Sequence, residues 1–507
     1  MPQSQKSNFS IIALLFLLTL TGCTKPGQTS NDISNDDQSS EVATQNLAIV
    51  RGKVLTDSGE MVTAGIVVEN EAGDTYRVST NLHSGYNLRL APGTYKLHFM
   101  RGFEFSTVTK MITVEAFKTY IIQDVRLVQL EDSYAKGWIR GDLHQHTFYS
   151  DGLNSVNDVF VSNVSNDLYY GFLTDHNTAF GLPEWVQGSR MVANIDSLGN
   201  KRMFNAYEGV EVTTEFGHYQ ALGLGLLFDL YEVTLRDIER NKPQAEKDQL
   251  IKDRIKYIGE TIQWAGGVAQ INHPYSTSTM GFKYWDMINY FNTVEIWNGY
   301  FFPGDGKLEP DKEGYQGQNY RTKMHWFDTL NEIKNGGHFI AATAGTDNHD
   351  ISGAYKATPG FDENNLQSID DYNELFQKYG KYSGAPSTVV KIDGEITQTK
   401  VLEAIKKGHS FMTNGPMLYT TIDGKTYGET ITLSGTSVTA NIELFTRYGF
   451  EELRVVVNGE VVDKVLSEES RLTQNIVIDN LKAGDWIVFE VSGKGVEYAI
   501  TNPFFIA

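Results

Sequence analysis

The sequence predicts an α/β domain set between two all-β modules, and three patterns support this. Between residues 137 and 416, strand-like apolar runs alternate with helical stripes, the pattern of α/β architecture. Over 47–130 and again over 417–507, short runs alternate apolar and polar side chains at the strand period. Gly, Pro, Asp and Asn separate those runs. At 507 residues the chain is long enough for more than one core.

Residues 1–22 read as an export signal. Lys6 precedes an apolar run, Ile11 to Leu18, which is too short to span a bilayer, and Leu20-Thr21-Gly22-Cys23 closes it. These four residues resemble the bacterial lipobox. That resemblance implies that Cys23 becomes the lipidated first residue of an exported protein, anchored to a bacterial membrane at the outer membrane or cell surface. Cys23 is the only cysteine, so no intramolecular disulfide is possible. Residues 23–46, rich in Ser, Thr, Asn, Asp and Gln, form a flexible tether.

Order begins near Leu47. Ile49 to Val54, Gly65 to Val68, Tyr86 to Leu90 and Thr94 to Phe99 are strands, with turns at Asp57-Ser58-Gly59, Ala72-Gly73-Asp74 and Ala91-Pro92-Gly93. This β-sandwich resembles carboxypeptidase regulatory-like accessory domains, and its His83 and His98 are structural. In the central region, Ile251, Ile255, Ile258 and Ile262 share one helix face, Gly266-Gly267 ends the helix, and Val268 to Ile271 is a buried strand. Trp326, Leu330 and Ile333, then Gly336-Gly337 and Phe339 to Ala342, repeat that grammar. After Met417 the β period returns, without a cluster of reactive residues.

A formal charge of −20 and no basic cluster exclude nucleic acid as a partner, and no protein partner can be inferred. Chemistry is concentrated in the histidines. Six of the 11 sit at apolar run ends beside Asp, Asn or Gly: His144, His146, His176, His218, His273 and His349. Asp151, Glu211 and Asp347 accompany them. Strand ends in α/β domains open onto one face. Imidazoles and carboxylates gathered there carry a large desolvation cost unless cations neutralise it. Mixed nitrogen and oxygen donors without thiolate suit zinc, manganese or iron.

Asp142-Leu143-His144-Gln145-His146, Ser150-Asp151-Gly152, Thr174-Asp175-His176-Asn177, Gly209-Val210-Glu211, Asn272-His273-Pro274 and Asp347-Asn348-His349 resemble, in order, the motifs of the PHP (polymerase and histidinol phosphatase) family. Gly217-His218-Tyr219 and Ser410 to Pro416 are similar to its carbaryl-hydrolase-like CehA/McbA branch. The resemblance implies a distorted, TIM-like (β/α)7 barrel with two or three divalent ions. By it, His144, His146, Glu211 and Asp347 hold one ion, and Glu211 bridges to a second held by His218 and His273. Asp151, His176 and His349 hold a third. Glu211, Asp347 and His176 carry the catalysis. Paired cations acidify a bound water into a nucleophile near neutral pH.

Asp175 is expected to orient His176, and Asn272 either its neighbour His273 or a turn. Glu208 is expected on the opposite face of one strand shared with Glu211, as a structural residue, the alternative being that it takes the place of Glu211. Trp297 and Asn298 line the cleft or simply end a strand, and His325, His338 and His409 stay outside the site. The few cations near the motifs, Arg140, Arg321 and Lys323, point to a small-molecule substrate of low charge.

The expected function is hydrolysis of a phosphoester, or of an amide, carbamate or ester, outside the cytoplasm. The alternative is a lipoprotein that binds metal or ligand without turnover. A scavenger needs no bridging carboxylate, so Glu211 between histidine pairs argues against it. The anchor has its own test. Cys23→Ser should leave the membrane fraction, or stay uncleaved, with unchanged activity; a processed variant still in the membrane fraction would remove the lipobox reading.

Overall fold

Two sheets meet edge to edge around a run of strand ends, and their meeting line sets the position of every reactive residue. A computed structural model describes residues 46–507 except 82–84, 190–192, 196–200, 277–279, 300–314, 334–336, 362–373, 375–376, 380–381 and 495. The export signal, Cys23, the tether up to residue 45, and His83 lie outside the described residues. Among the described residues no helix is long and apolar enough to cross a membrane.

The N-terminal module is a set of short strands between Ala48 and Leu127 around a core that includes Val50, Ile66, Leu97 and Phe99. His98 is structural here, its ring between Thr109 Oγ1 (2.9 Å) and Glu69 Oε2 (3.0 Å).

In the central region ten strands matter: β1 (Trp138–Asp142), β2 (Tyr170–Leu173), β3 (Asn205–Glu208), β4 (Glu211–Thr214), β5 (Gly217–Leu222), β6 (Val268–Ile271), β7 (Thr293–Asn298), β8 (Ala341–Gly345), β9 (Ser387–Lys391) and β10 (Ser410–Thr413). The first sheet runs β3-β2-β1-β9-β10, parallel across the first three and antiparallel thereafter. The second runs β4-β5-β6-β7-β8, antiparallel up to β6 and parallel beyond. The mixed α/β reading holds, but ladder hydrogen bonds group these strands in two sheets and not in one ring. Isolated parallel bridges join them, His176 to Glu211 and Gln145 to Asn348. Thr388 of β9 also exchanges hydrogen bonds with the Ala344 backbone of β8, at 2.8 and 2.9 Å.

Some C-terminal strands belong to the first sheet, while Met417–Ile422, Val438–Phe445 and Arg471–Ile478 form a separate sheet of three. Tyr498–Thr501 pairs β10, then Trp486–Gly493, Phe450–Val457 and Glu460–Leu466 follow in turn. The hydrogen-bonded sheet thus runs across the boundary expected near residue 416.

Helices cover the sheets through apolar stripes. α1 (Val156–Ser165) starts at Ser155, whose hydroxyl accepts from the Asp158 N–H at 3.1 Å. α2 (Leu182–Ser189) packs on β3, and α3 (Gln244–Trp264) buries Ile251, Ile255, Ile258 and Ile262. α4 (Tyr315–Glu332) buries Trp326 and Leu330 and lies along β7. The isoleucine spacing is that of a helix face, and each such side chain contributes about 1.5–3 kcal/mol on burial. Ile258 is fully buried. Ile258→Ala should therefore cost about 2–5 kcal/mol, measured as a fall in urea midpoint; a cost under about 1 kcal/mol would contradict this packing.

Candidate metal centre

Strands hand their residues to the site at their ends. β1 stops at Asp142, so His144 and His146 lie beyond it. The Gln145–Asn348 bridge keeps this stretch extended and brings the two rings to 5.1 Å between centroids. Asp142 anchors the run. Its buried carboxylate accepts from the Thr346 hydroxyl (2.6 Å) and from the N–H groups of Thr346, Gly384 and His144 (3.1, 2.9 and 3.2 Å). Burial raises this carboxyl to about 6 even so. Gly345 at the end of β8 allows a close approach, because a Cβ there would lie 2.5 Å from His144 Cβ and 2.8 Å from Glu295 Oε1.

Glu211 is the centre. It is fully buried, and its Oε2 lies 3.3 Å from His144 Nε2, 3.2 Å from His146 Nε2 and 2.9 Å from His176 Nδ1. Its Oε1 lies 3.1 Å from His218 Nδ1 and 3.3 Å from His273 Nε2. Asp347 Oδ1 approaches His144 Nε2 and His146 Nε2 at 3.2 and 3.1 Å. At the open side Asp151 Oδ1 is 3.5 Å from His176 Nε2 and 3.1 Å from His349 Nε2. All nine residues expected at the site are thus brought together, in overlapping sets: His144, His146 and Glu211; His144, His273 and Asp347; His176, Glu211 and His218; His146, Asp151, His176 and His349.

This donor set fits metal ions. His144 Nε2, His146 Nε2 and Glu211 Oε2 are buried and make no hydrogen bond, a condition that buried polar atoms rarely tolerate. Bonds of about 2.1 Å to a tetrahedral ion would place neighbouring donors about 3.4 Å apart, close to the separations seen. Backbone strain gathers here too. His273 (φ 25°), Asp347 (φ 49°) and Asn177 (φ 50°) hold left-handed conformations that non-glycine residues adopt at a cost.

Without metal the cluster is a set of ion pairs. Burial pulls the imidazoles down, but Asp347, Glu295 and Glu211 hold His144 well above its usual range, and the nearby carboxylates of Asp347 and Glu211 bring His146 up to about 9. Burial would raise Glu211 and Asp347, but both stay well below the usual carboxylate range, chiefly through the His144 charge. His218 is lowered by burial, which outweighs Glu211.

Several supporting residues differ from expectation. Glu208 and Glu211 do not share a strand: Glu208 ends β3 in the first sheet, and Glu211 opens β4 in the second. Glu208 is exposed and lines a cavity of about 760 Å³ with Ala179, Leu182 and Gln187. Asp175 does not touch the His176 ring. It accepts from the Thr147 N–H (2.7 Å), the Thr147 hydroxyl (2.6 Å) and the Ser150 hydroxyl (2.7 Å), and so fixes the loop that carries Asp151. Asn272 donates to Glu211 Oε1 at 2.8 Å. Trp297 and Asn298 are both buried, so neither lines an open cleft; Asn298 instead donates to Asp347 Oδ2 at 3.1 Å and Glu295 Oε2 at 2.9 Å.

Glu295 is a further residue of the site that the strand-end pattern does not mark. It is fully buried in β7, 3.0 Å from His144 Nδ1, and accepts from the His273 N–H at 3.1 Å. A carboxylate behind an imidazole fixes which ring nitrogen is free to bind metal. A charged residue inside the apolar run Val294-Glu295-Ile296 is the sequence signal for it, since an unpaired buried carboxylate is costly.

No family model and no curated protein matches the chain. Among solved structures it aligns with a two-domain Bacteroides vulgatus protein containing a predicted PHP-like metal-dependent phosphoesterase. There the identity is 16%, over 72% of this chain and 95% of the other, with a TM-score of 0.36. It also aligns with an amidohydrolase from Chromobacterium violaceum carrying sulfate and no metal, at 16% identity over 43% and 92%, with a TM-score of 0.25.

The ion pairs carry a pH signature. An imidazole raised from 6.5 to about 9 stays protonated in the folded chain where the unfolded chain has lost its proton. Its stabilisation is complete below the unfolded pKa and disappears as pH rises through the folded one. Chelator-stripped protein should therefore show a thermal midpoint that falls between about pH 6.5 and 9, while metal-loaded protein should not. A rising midpoint for stripped protein across that window would refute the ion-pair description.

Proposed function

We propose that this chain is a metal-dependent hydrolase of the PHP kind, its two bridged sheets forming a distorted barrel. It cleaves a phosphoester, or an amide, carbamate or ester bond, of a small molecule outside the cytoplasm while anchored through Cys23. The observation that carries the reading is the convergence of six imidazoles on Glu211, Asp347 and Asp151, with buried donor atoms that lack hydrogen bonds. His144, His146, Glu211 and Asp347 would hold one divalent ion, and Glu211, His218 and His273 a second. Asp151, His176 and His349 complete a third position. Bound there, the ions would acidify a water and withdraw charge from the scissile group.

The protein's own residues do the rest. Exposure rises from His144, His146 and Glu211, all buried, through His176 (22%) and His349 (36%) to Asp151 (59%). Substrate therefore enters on the Asp151 side. With two ions bound, His176 Nε2 lies at this mouth and carries a proton to the departing group, while Thr213 and Glu211 orient the ring through Nδ1. Asn298 and Asn272 hold Asp347 and Glu211 in place against their like charge. Glu295 fixes His144 and the backbone of His273.

Glu211→Gln should lose metal and lower turnover on the order of 10³-fold or more, because a neutral amide bridges two cations poorly. Glu208→Gln should keep both. Metal content and turnover on chromogenic phosphate, phosphodiester, carbamate and ester substrates would be measured together. A metal-replete, active Glu211→Gln enzyme would remove the reading.

A further inference from the structure

The cations that flank the motifs in sequence separate in space. Arg140 is fully buried, stacked on Phe103 at 3.6 Å with Glu104 at 3.6 Å, and Lys323 is buried on Glu490 at 2.9 Å. Neither can meet a substrate. Arg321 differs: it is half-buried, and its guanidinium lies over the Tyr275 ring, 5.7 Å from the ring centre.

Two attachments tie the elements that carry this arginine and its tyrosine to the metal centre. Tyr275 lies in a turn that starts at the metal-centre residue His273, closed by the Ser276 N–H donating to the His273 carbonyl at 2.9 Å. α4, which carries Arg321, docks through Asn319: its side chain accepts from the Asn298 N–H at 3.1 Å and donates to the Asn298 carbonyl at 2.9 Å. Asn298 in turn donates to Asp347. His325, one helical turn after Arg321, lies 2.8 Å from the Tyr275 hydroxyl through Nδ1 and stacks on Trp285 at 3.7 Å. A guanidinium, a phenol and an imidazole thus face one another on the His273 side, and none of them is among the nine donors.

We propose that Arg321, Tyr275 and His325 form an anion subsite, so that the substrate carries a carboxylate or phosphate group beside the bond that is cleaved. A guanidinium that faces no carboxylate among the described residues is the side chain best shaped for such an oxyanion. This inference rests on the hydrolase reading, and it reverses the low-charge substrate expected from the sequence.

The test uses the protein as purified, with succinate and inorganic phosphate as probes in calorimetric titrations, and metal content and thermal midpoint measured on every sample. Wild type should bind at least one probe, Arg321→Gln should weaken it about tenfold or more, and Arg321→Lys should recover part of the loss. The arm that binds distinguishes a carboxylate-bearing from a phosphate-bearing substrate. Binding of neither probe by wild type, or equal affinity in wild type and Arg321→Gln at equal metal content, would overturn the subsite. Metal-poor wild-type protein without turnover would instead strike the hydrolase reading, so the two failures are distinct. Should Arg321→Gln fail to fold, Tyr275→Phe and His325→Gln must weaken the same probe; unchanged affinity in both would also overturn the proposal.

Discussion

One carboxylate organises this protein. Glu211 is wholly buried, and a ring nitrogen from each of His144, His146, His176, His218 and His273 lies within 3.3 Å of it. A buried charge is tolerated only when paired and hydrogen-bonded. Here the partners come from both sheets, so the electrostatic requirement of one side chain fastens the two sheets together. Its backbone does so as well, through the His176–Glu211 bridge.

The surrounding residues make that arrangement rigid. Asp142 pins the start of the His144–His146 run to Thr346 and Gly384, and Asp175 pins the loop that carries Asp151. Glu295, Asn298 and Asn272 reach His144, Asp347 and Glu211 from behind. Sites whose ligands are held by a fully bonded outer layer lose little entropy when an ion or substrate arrives. The strained backbone at His273 and Asp347 belongs to the same design, since it persists only where neighbours over-determine it.

The flanking β elements serve the site unequally. Four of the C-terminal strands, from Tyr498–Thr501 to Glu460–Leu466, extend the first sheet through β10, and Lys323 of α4 is buried on Glu490 of that extension. The helix that presents Arg321 and His325 is thereby tied to the C-terminal strands at one residue and to the metal centre at another. The N-terminal module meets the central region through buried pairs such as Arg101 with Asp167 at 2.7 Å, away from the nine donors.

Local pattern in the sequence determined the α/β reading, the isoleucine face of α3 and the nine donors. Each of these depends on period or on residue chemistry at a strand end, and such features survive in one dimension. Tertiary structure alone decided what depends on partners distant in the chain. It placed Glu208 and Glu211 in different sheets, because a two-residue break between strands has no distinct pattern. It turned Asp175 away from His176 toward Thr147 and Ser150, and it made Glu295 the support of a histidine 151 residues earlier. It also divided Arg140, Lys323 and Arg321 into two buried pairs and one cation facing Tyr275. Sequence lists charges without their distances, and the energy of a charge is set by what lies within a few ångströms of it.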